Sequence, residues 1–398
     1  MFESIQHAPP DAILGLNEIF QRDARAEKVN LTVGVYKDES GITPILNCVK
    51  DAERRLLESE SAKPYLGIAG FPSYNQAVRQ LLLGEASGAI ADGRAITVQT
   101  PGGTGACRVA ADFLRRSLPN AQIWCSRPTW ANHHNIFKAA GFETKDYAYL
   151  DDAGTGLDRP AFLDSLSKIP AGEIVCLHGC CHNPTGVDPD SSDWDEVVSL
   201  AKEHGWLPLI DLAYQGFGSG LDQDASAVRR FVDAGLEVVI AHSYSKNFGL
   251  YAERVGALTL VAQDTDAAAA VESQVKSVVR ANYSNPPKHG AAIVATILSD
   301  DDLTAIWKVE LVEMCERIHD LRRQLVAGLA DRKIDRDMSF ITQQKGMFSY
   351  SGLTPDQVDQ LKDQHGIYML RSGRINVAGL NSKNLEVVCD AMAAVMSS

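Results

Sequence analysis

The chain has 398 residues, of which 45% are apolar and 22% charged, with 31 glycines and 16 prolines. This composition excludes a disordered chain, a collagen-like repeat and a small disulfide scaffold, and the length predicts two domains. With 38 basic and 51 acidic side chains the net charge is −13, which argues against binding nucleic-acid phosphates or an anionic membrane. An anionic ligand would therefore need a few well-placed arginines.

The N-terminal sequence lacks the basic segment and following apolar segment of a secretory signal. Eight cysteines without such a signal predict reduced thiols and a cytoplasmic protein. The prolines of Ala8-Pro9-Pro10 predict an extended N-terminal arm, which we assign to residues 1–12.

Short apolar, β-branched runs alternate with helical patterns, which is typical of a mainly parallel sheet covered on both faces. The clearest helical pattern follows the first run, where apolar residues recur at three- and four-residue spacing between Ala106 and Leu114. The predicted strands are Ala95–Thr100, Ile123–Ser126, Glu143–Ala148, Ile174–His178, Leu207–Ile210, Val238–His242 and Ala257–Val261.

The pattern changes after residue 300. An apolar stripe from Leu303 to Leu325 predicts a long helix, 302–331, able to connect two domains. Short strands near Phe348–Tyr350 and Arg374–Val377 then indicate a separate α+β unit.

We therefore predict an α/β protein whose large domain has a mostly parallel seven-stranded sheet flanked by helices. This domain is assigned to residues 45–310. A smaller α+β domain combines residues 13–44 and 311–398.

Polar and glycine-rich residues follow several of the predicted strands. Because the carboxyl ends of parallel strands meet at one edge of a sheet, these residues are expected to lie close together. They include Gly102, Gly103 and Thr104, then Trp130, His178, Asn183, Asp211, Tyr214, Ser243, Ser245 and Lys246.

Gly102-Gly103-Thr104-Gly105 is predicted to open a helix, whose free N–H groups would form a cup for an anion. The segment is neither a Walker A loop nor a Rossmann fingerprint, because the required lysine or third glycine is missing. By itself it fits a tight strand–helix turn as well as it fits phosphate binding.

The run from His178 to His182 contains Cys180 and Cys181 and raises the question of a zinc site. Neighbouring residues at a strand end point to opposite faces, so adjacent cysteines are poorly placed to share one metal ion. We predict no metal site here, and interpret the cysteines as buried thiols.

Ser243-Tyr-Ser-Lys246 matches the Ser-x-x-Lys motif of penicillin-interacting enzymes, and Tyr283-Ser-Asn285 resembles their second motif. One possible function of this segment is therefore acyl transfer through a serine nucleophile. Against it, the third motif is absent, and Ser-x-x-Lys should open a helix rather than follow a strand. A further alternative is a binding module without chemistry, in which Lys246 is an ordinary surface lysine.

Taken together, a lysine after one strand, an aspartate after its neighbour and an anion cup match what pyridoxal phosphate requires. A lysine forms a Schiff base with this cofactor, and a carboxylate keeps the pyridine nitrogen protonated so that the ring withdraws electrons.

Longer motifs carry a family resemblance that extends over nearly the whole chain. They are Tyr65-Leu-Gly, TPGGTGA, HGCCHNPTG, Asp211-Leu-Ala-Tyr214, SYSKNFGLYAERVGA, RANYSNPP and Arg374-Ile-Asn-Val-Ala-Gly. In these motifs the chain closely resembles the bacterial aspartate aminotransferases, which belong to the class I, fold-type I transaminases.

The resemblance implies a role for each cofactor-site residue. Lys246 would form the Schiff base and then carry the proton, Asp211 would pair with the pyridine nitrogen, and Trp130 would stack on the ring. Asn183 and Tyr214 would hydrogen-bond the phenolic oxygen, while His133 and His178 would lie behind Asp211. The phosphate would be held by Gly102, Gly103, Thr104, Ser243, Ser245 and Arg254, with Tyr65 supplied by a second subunit.

The resemblance also implies a dicarboxylate substrate and a homodimer. Arg374 would bind the α-carboxylate, Arg280 of the neighbouring subunit the distal carboxylate, and Gly34, Trp130 and Asn183 would line the site. The implied reaction moves the amino group between L-aspartate and 2-oxoglutarate by a ping-pong route.

Aromatic amino acids remain an alternative substrate class, because the aromatic branch shares almost all of these residues. Positions that resemble the aspartate branch are Val35, Lys37, Thr43 and Asn285. Pro64 stands where a polar residue is expected.

Overall fold

The computed structural model describes residues 2–7 and 14–397, so the predicted extended segment Ala8-Pro9-Pro10 lies outside the described residues. The described chain divides into two compact units. The first unit comprises the residues up to Thr43, Arg317–Gln343 and the residues from Met347 onward, and the second comprises Pro44–Glu316 and Gln344–Gly346. The domain limits derived from the sequence stay a prediction.

The described residues form short strands in both units. They are β1 (Val29–Asn30), β2 (Ala95–Pro101), β3 (Ile123–Arg127), β4 (Thr144–Ala148), β5 (Ile174–His178), β6 (Leu207–Leu212), β7 (Val238–Ser243), β8 (Val255–Val261), β9 (Phe348–Tyr350), β10 (Ile367–Tyr368) and β11 (Arg374–Asn376).

The α-helices are interleaved with these strands, and two 3-10 helices occupy Ser339–Gln343 and Val377–Gly379. The α-helices are α1 (Leu14–Arg22), α2 (Asn47–Ser59), α3 (Pro72–Leu83), α4 (Gly88–Ala91), α5 (Gly102–Ser117), α6 (Asn132–Ala139), α7 (Arg159–Ser167), α8 (Ser191–His204), α9 (Leu221–Asp224), α10 (Ser226–Asp233), α11 (Thr265–Asn282), α12 (His289–Leu298), α13 (Asp301–Asp331), α14 (Pro355–His365) and α15 (Leu385–Met396).

The second unit is built on one sheet with the strand order β2-β8-β7-β6-β5-β3-β4. Neighbours from β7 to β4 are parallel, whereas β8 is antiparallel to both β2 and β7. Every residue of β5, β7 and β8 is buried, as expected for strands covered on both faces. The predicted α/β fold with a mostly parallel seven-stranded sheet is confirmed for the described part of the chain.

The strands β2, β3, β6, β7 and β8 are each one or two residues longer than predicted, and the difference at β6 concerns the site. Strand β6 continues to Leu212 rather than ending at Ile210, so Asp211 lies inside the strand and not after it. The ladder extends this far because Asp211 is paired with His178 of β5 and with Ala241 of β7. A carboxylate is thereby held on a rigid element between two neighbouring strands.

The connection between β7 and β8 determines where the site forms. It spans only residues 244–254, too short for a crossover helix, so β8 returns antiparallel. Strand β2 is antiparallel to β8 and thus runs in the same direction as β7. The end of β2, the end of β7 and the beginning of β8 therefore meet at one edge, with Pro101 opposite Val255 and Ser243 opposite Gly256.

Helix α13 confirms the long helix predicted over 302–331, and the division between the two units falls at Glu316/Arg317. In the first unit, β1 pairs parallel with β10, and β9 pairs antiparallel with β11. No helix among the described residues is both long and apolar enough to cross a membrane.

Candidate active site

The N-terminus of α5 forms a cradle into which no side chain fits. Gly102 has a φ of +72°, and a Cβ there would lie 2.5 Å from Nη2 of Arg254. A Cβ on Gly103 would lie 3.0 Å from Cβ of Ser243. Free N–H groups in the first turn and a guanidinium beside them attract an anion, so the predicted anion cup has the required geometry. Thr104 follows in the same turn.

An unpartnered hydroxyl lies in the segment that follows Ser243. The Oγ of Ser245 is buried and has no hydrogen-bond partner among the residues that the structure describes, while its backbone N–H donates to Oγ of Ser243 at 3.3 Å. A buried polar atom without a partner costs free energy unless a ligand or water satisfies it. The hydroxyl is therefore available to a bound group.

Asp211 is paired with a buried histidine. Its Oδ2 lies 3.0 Å from Nε2 of His133, and Nδ1 of that ring lies 2.9 Å from Oγ1 of Thr129. With the carboxylate ionised, Nε2 donates to Asp211 and Nδ1 accepts from the threonine hydroxyl. Burial alone would raise the pKa of Asp211, but the His133 hydrogen bond and the nearby His133, His178 and Lys246 outweigh it, so its pKa is lowered.

His178 and Trp130 lie against the same histidine. The ring of His178 is centred 5.1 Å from that of His133, and the half-buried Trp130 meets His133 edge-on at 5.2 Å. Burial, with His182 and His133 nearby, lowers the pKa of His178 well below its usual value. His178 therefore belongs to the same buried cluster as His133 and Asp211.

Lys246 lies in a turn after β7, with its Nζ 4.8 Å from the centroid of the buried Tyr214 ring. Burial lowers the pKa of Lys246 to about 8; Arg254 lowers it further, whereas Asp211 opposes the shift. The neutral fraction of the amine near physiological pH is thus much larger than for an ordinary lysine, as a nucleophilic lysine requires. Because Lys246 lies in a turn and not at the start of a helix, the geometry of the Ser-x-x-Lys enzymes is absent from this described segment.

Asn247, the residue after Lys246, connects the turn that carries the lysine to other segments of the unit. Asn247 donates from Nδ2 to the carbonyl of Gln215 at 3.1 Å, and its own carbonyl accepts from Nε1 of Trp307 at 2.7 Å. The Trp307 ring stacks on Phe248 with centroids 4.4 Å apart. The turn that carries Lys246 is therefore joined to the segment after Tyr214 and to α13.

Asn183 is buried in the loop after β5, whereas Tyr65 and Arg280 are exposed. Tyr65 has 92% of its surface accessible, and Arg280, in the last turn of α11, hydrogen-bonds Oγ of Ser284. The structure thus does not place these two residues in the buried cluster of the same chain.

Arg374 and Gly34 belong to the first unit, where both lie against Phe348. The buried guanidinium of Arg374 stands 4.1 Å from the Phe348 ring centroid, and its Nη2 donates to the carbonyl of Thr32 at 2.5 Å. A Cβ on Gly34 would lie 2.6 Å from Cζ of Phe348, so a side chain there would collide with the ring. Arg374 is therefore a buried arginine on a rigid aromatic support.

Several supporting residues were missed by the sequence reasoning. Thr129 orients His133, Asn247 and Trp307 fix the lysine turn, and Asn376 donates to the carbonyls of Val33 and Val35 on either side of Gly34. Of these, only Thr129 and Asn247 stand next to a predicted site residue in the sequence. The partners of the others are far away along the chain.

The mostly parallel sheet, the anion cradle, the half-buried Lys246 and the buried Asp211 together define a class of enzyme. Residues 26–392 match the family described as aminotransferase class I and II, and the chain belongs to this family. It is 53% identical over 396 residues to an aspartate aminotransferase of Salmonella typhi, with 100% of both chains covered. It is 44% identical over 397 residues to the aromatic-amino-acid aminotransferase of Escherichia coli (strain K12), again with 100% of both covered.

Solved structures agree with this assignment. An aromatic-amino-acid aminotransferase from Burkholderia pseudomallei, covalently bound to pyridoxal phosphate, has a TM-score of 0.97 and 49% identity. The match covers 100% of this chain and 99% of that one. A cytoplasmic aspartate aminotransferase from Saccharomyces cerevisiae has the same TM-score at 39% identity, with 100% and 98% covered.

The charges around Lys246 predict opposite effects of two substitutions on its titration. Asp211→Asn removes a favourable charge and should lower the Lys246 pKa below about 8, whereas Arg254→Gln removes a repulsive one and should raise it. The pKa can be measured in cofactor-free protein by NMR titration of ¹³C-methylated lysines, with the signal assigned through Lys246→Arg. Asp195→Asn, an exposed site on α8, is the control and should change nothing. Shifts of the same sign in both variants would contradict the charge balance described above.

Proposed function

We propose that this protein is a pyridoxal-phosphate-dependent aspartate aminotransferase. It would convert L-aspartate and 2-oxoglutarate into oxaloacetate and L-glutamate by a ping-pong route. The observation that carries the proposal is the lysine of lowered pKa at the same sheet edge as the anion cradle and Asp211. The similarity to aspartate aminotransferases over the whole chain supports the choice of substrate.

The residues present fit this cofactor at its phosphate and at its pyridine nitrogen. The cradle of Gly102 and Gly103, with Arg254 beside it and the unpartnered Ser245 hydroxyl, suits a phosphate. Asp211, held ionised by His133, suits a protonated pyridine nitrogen. We assign Thr104 and Ser243 to the phosphate as well, Trp130 to the face of the ring, and Asn183 and Tyr214 to its phenolic oxygen.

When bound, the cofactor supplies an electron-withdrawing ring that no protein side chain provides. Lys246 would hold the cofactor through its Nζ and, as the neutral amine, would be the base that takes the proton from the substrate Cα. Asp211 keeps its charge throughout, because the His133 hydrogen bond favours the ionised form.

We assign the substrate carboxylates to two arginines. Arg374 takes the α-carboxylate, because a buried guanidinium with a fixed plane offers a two-point contact that lysine lacks. The partner subunit's Arg280 takes the distal carboxylate of aspartate or 2-oxoglutarate, with Gly34 next to the substrate. The similarity to aromatic-amino-acid aminotransferases supports aromatic amino acids as the second substrate class.

We also propose a cytoplasmic homodimer with shared active sites. The exposure of Tyr65 and Arg280 supports the dimer, because both are available to another chain. The eight cysteines, all of which lie in the described residues and are unbridged, support a reducing compartment.

Lys246→Ala tests the covalent attachment. The variant should lose at least about 10³-fold in transamination, the contribution of a positioned base, and should lack the visible absorbance of lysine-bound cofactor. Lys276→Ala, which removes a half-buried lysine paired with Glu272, is the control and should behave as wild type. Near-wild-type turnover by Lys246→Ala would refute the assignment.

Mixing two inactive variants tests the shared site. Lys246→Ala and Arg280→Ala subunits should form hybrids in which one of the two sites has both residues intact. Statistical exchange should then restore about a quarter of wild-type aspartate activity, measured after mixing and subunit exchange. Demonstrated exchange without recovery would contradict a shared site.

The two arginines should differ in their effect on substrate choice. Arg280→Leu should cost aspartate about 2–5 kcal/mol in kcat/KM, the cost of leaving one carboxylate unpaired, and should cost phenylalanine little. Arg374→Leu should impair both substrates alike, because each carries an α-carboxylate. Steady-state kinetics of both variants with both amino acids provides the measurement. Equal losses on changing Arg280 would refute its role, and a wild-type preference for phenylalanine would indicate the aromatic branch.

A further inference from the structure

The loop that carries Asn183 is held by a carboxylate that no motif singles out. Oδ2 of Asp188 accepts the backbone N–H of Cys181 at 2.8 Å, and Oδ1 accepts that of His182, also at 2.8 Å. These are the two residues that precede Asn183. We propose that Asp188 is a positioning residue, which holds this loop so that the Asn183 amide reaches the cofactor.

The loop needs such a restraint because its backbone is strained. Cys181 has a φ of +51°, a left-handed conformation that costs free energy for any residue with a Cβ. Two charge-assisted hydrogen bonds from successive N–H groups to one carboxylate offset that cost. Burial raises the pKa of Asp188, while the two N–H groups and Lys345 oppose the rise and favour the ionised form.

Other contacts hold the rest of the loop, while Asp188 accepts the backbone N–H groups of the turn itself. The His182 ring is fixed between Oγ of Ser126 at 2.9 Å and Oγ1 of Thr185 at 2.8 Å. On the far side, the N–H of Lys345 donates to the carbonyl of Gly186 at 2.6 Å. Gly346 packs so closely that a Cβ there would lie 2.4 Å from Cβ of Cys181. The Cys181 turn is therefore confined from two sides, with the carboxylate on one and Gly346 on the other.

The inference rests on the proposed function, in which Asn183 donates a hydrogen bond to the phenolic oxygen of the cofactor. That bond stabilises the oxygen's anion and thereby lowers the pKa of the lysine–cofactor linkage. If the loop moves, the bond weakens and this pKa rises. The linkage changes its visible absorbance when it loses its proton, so its pKa can be read without any turnover.

Asp188→Asn is a sharp test because both carboxylate oxygens are used by backbone N–H groups. The amide has the same shape but one oxygen, so its NH₂ group would face a backbone N–H with no acceptor between them. Asp190→Asn is the matched control, with the same loss of charge two residues further on. Asp190 caps α8 by accepting the N–H of Asp193 through one oxygen, and asparagine caps equally well.

The experiment is a spectrophotometric pH titration of the holoenzyme. It compares the wild type with Asp188→Asn, Asp190→Asn, Asn183→Ala and the double variant that combines Asp188→Asn with Asn183→Ala. We expect Asp188→Asn to raise the linkage pKa by about 0.5–1 pH unit, and Asp190→Asn to leave it unchanged. In the Asn183→Ala background, Asp188→Asn should add no further shift, because the residue it positions is already gone.

Two results would overturn the inference, and a third would refute the proposed function on which it rests. An unchanged pKa in Asp188→Asn, with a raised one in Asn183→Ala, would refute the role of Asp188 and leave the proposed function intact. A full additional shift in the double variant would show that Asp188 acts by another route. Absence of any lysine-linked visible band in the wild type would instead refute the proposed function itself.

A second substitution addresses the same loop from its other side. Gly346→Ala would push on Cys181 without touching Asp188, and should also raise the linkage pKa. It provides the measurement if Asp188→Asn does not fold, and an unchanged pKa in folded Gly346→Ala would overturn the inference equally.

Discussion

The site depends on one topological constraint, the short connection between β7 and β8. Because residues 244–254 contain no crossover helix, β8 must turn back antiparallel, and β2 then lies beside it in the direction of β7. That arrangement brings the α5 N-terminus, Lys246 and Arg254 to the same edge of the sheet. A connection of a dozen or more residues with a helix would have made β8 parallel, and Arg254 would then lie at the opposite edge.

The local electrostatic potential at this edge of the sheet is opposite in sign to the net charge of the protein. The chain carries a net charge of −13, yet the α5 N-terminus and Arg254 create a local positive potential. The same arginine helps to keep Lys246 partly neutral, while Asp211 acts in the opposite direction. The pKa of Lys246 therefore depends on two fixed charges of opposite sign, and removing either one would change the protonation of the lysine.

Residues that take no part in the proposed reaction hold the functional side chains in place. Thr129 fixes one nitrogen of His133, so the other is directed to Asp211. In the first unit, Phe348 supports Arg374 and excludes a side chain at position 34. Such contacts reduce the freedom of groups that must be correctly oriented before substrate arrives.

Much of the fold could be predicted because its signals are local. Buried parallel strands read as continuous apolar runs, and the α5 and α13 stripes follow helical spacing, so element types and approximate limits were predicted correctly. The end of β6 was wrong by two residues, since a carboxylate inside a strand is contrary to local preference. Asp211 is tolerated there because His133, 78 residues earlier in the chain, provides its partner.

The sequence by itself determined the kinds of chemistry present: a lysine, an aspartate, a glycine-rich helix start and several arginines. Only the tertiary structure decided the protonation and the orientation of these groups. The lowered pKa of Lys246 results from burial and from charges on other segments, and the tautomer of His133 from Thr129 and Asp211 together. The restraint of the Cys181 turn comes from Asp188 and Gly346, the latter 165 residues away. Burial, charge proximity and hydrogen-bond direction depend on distances through space, and no spacing along the chain encodes them.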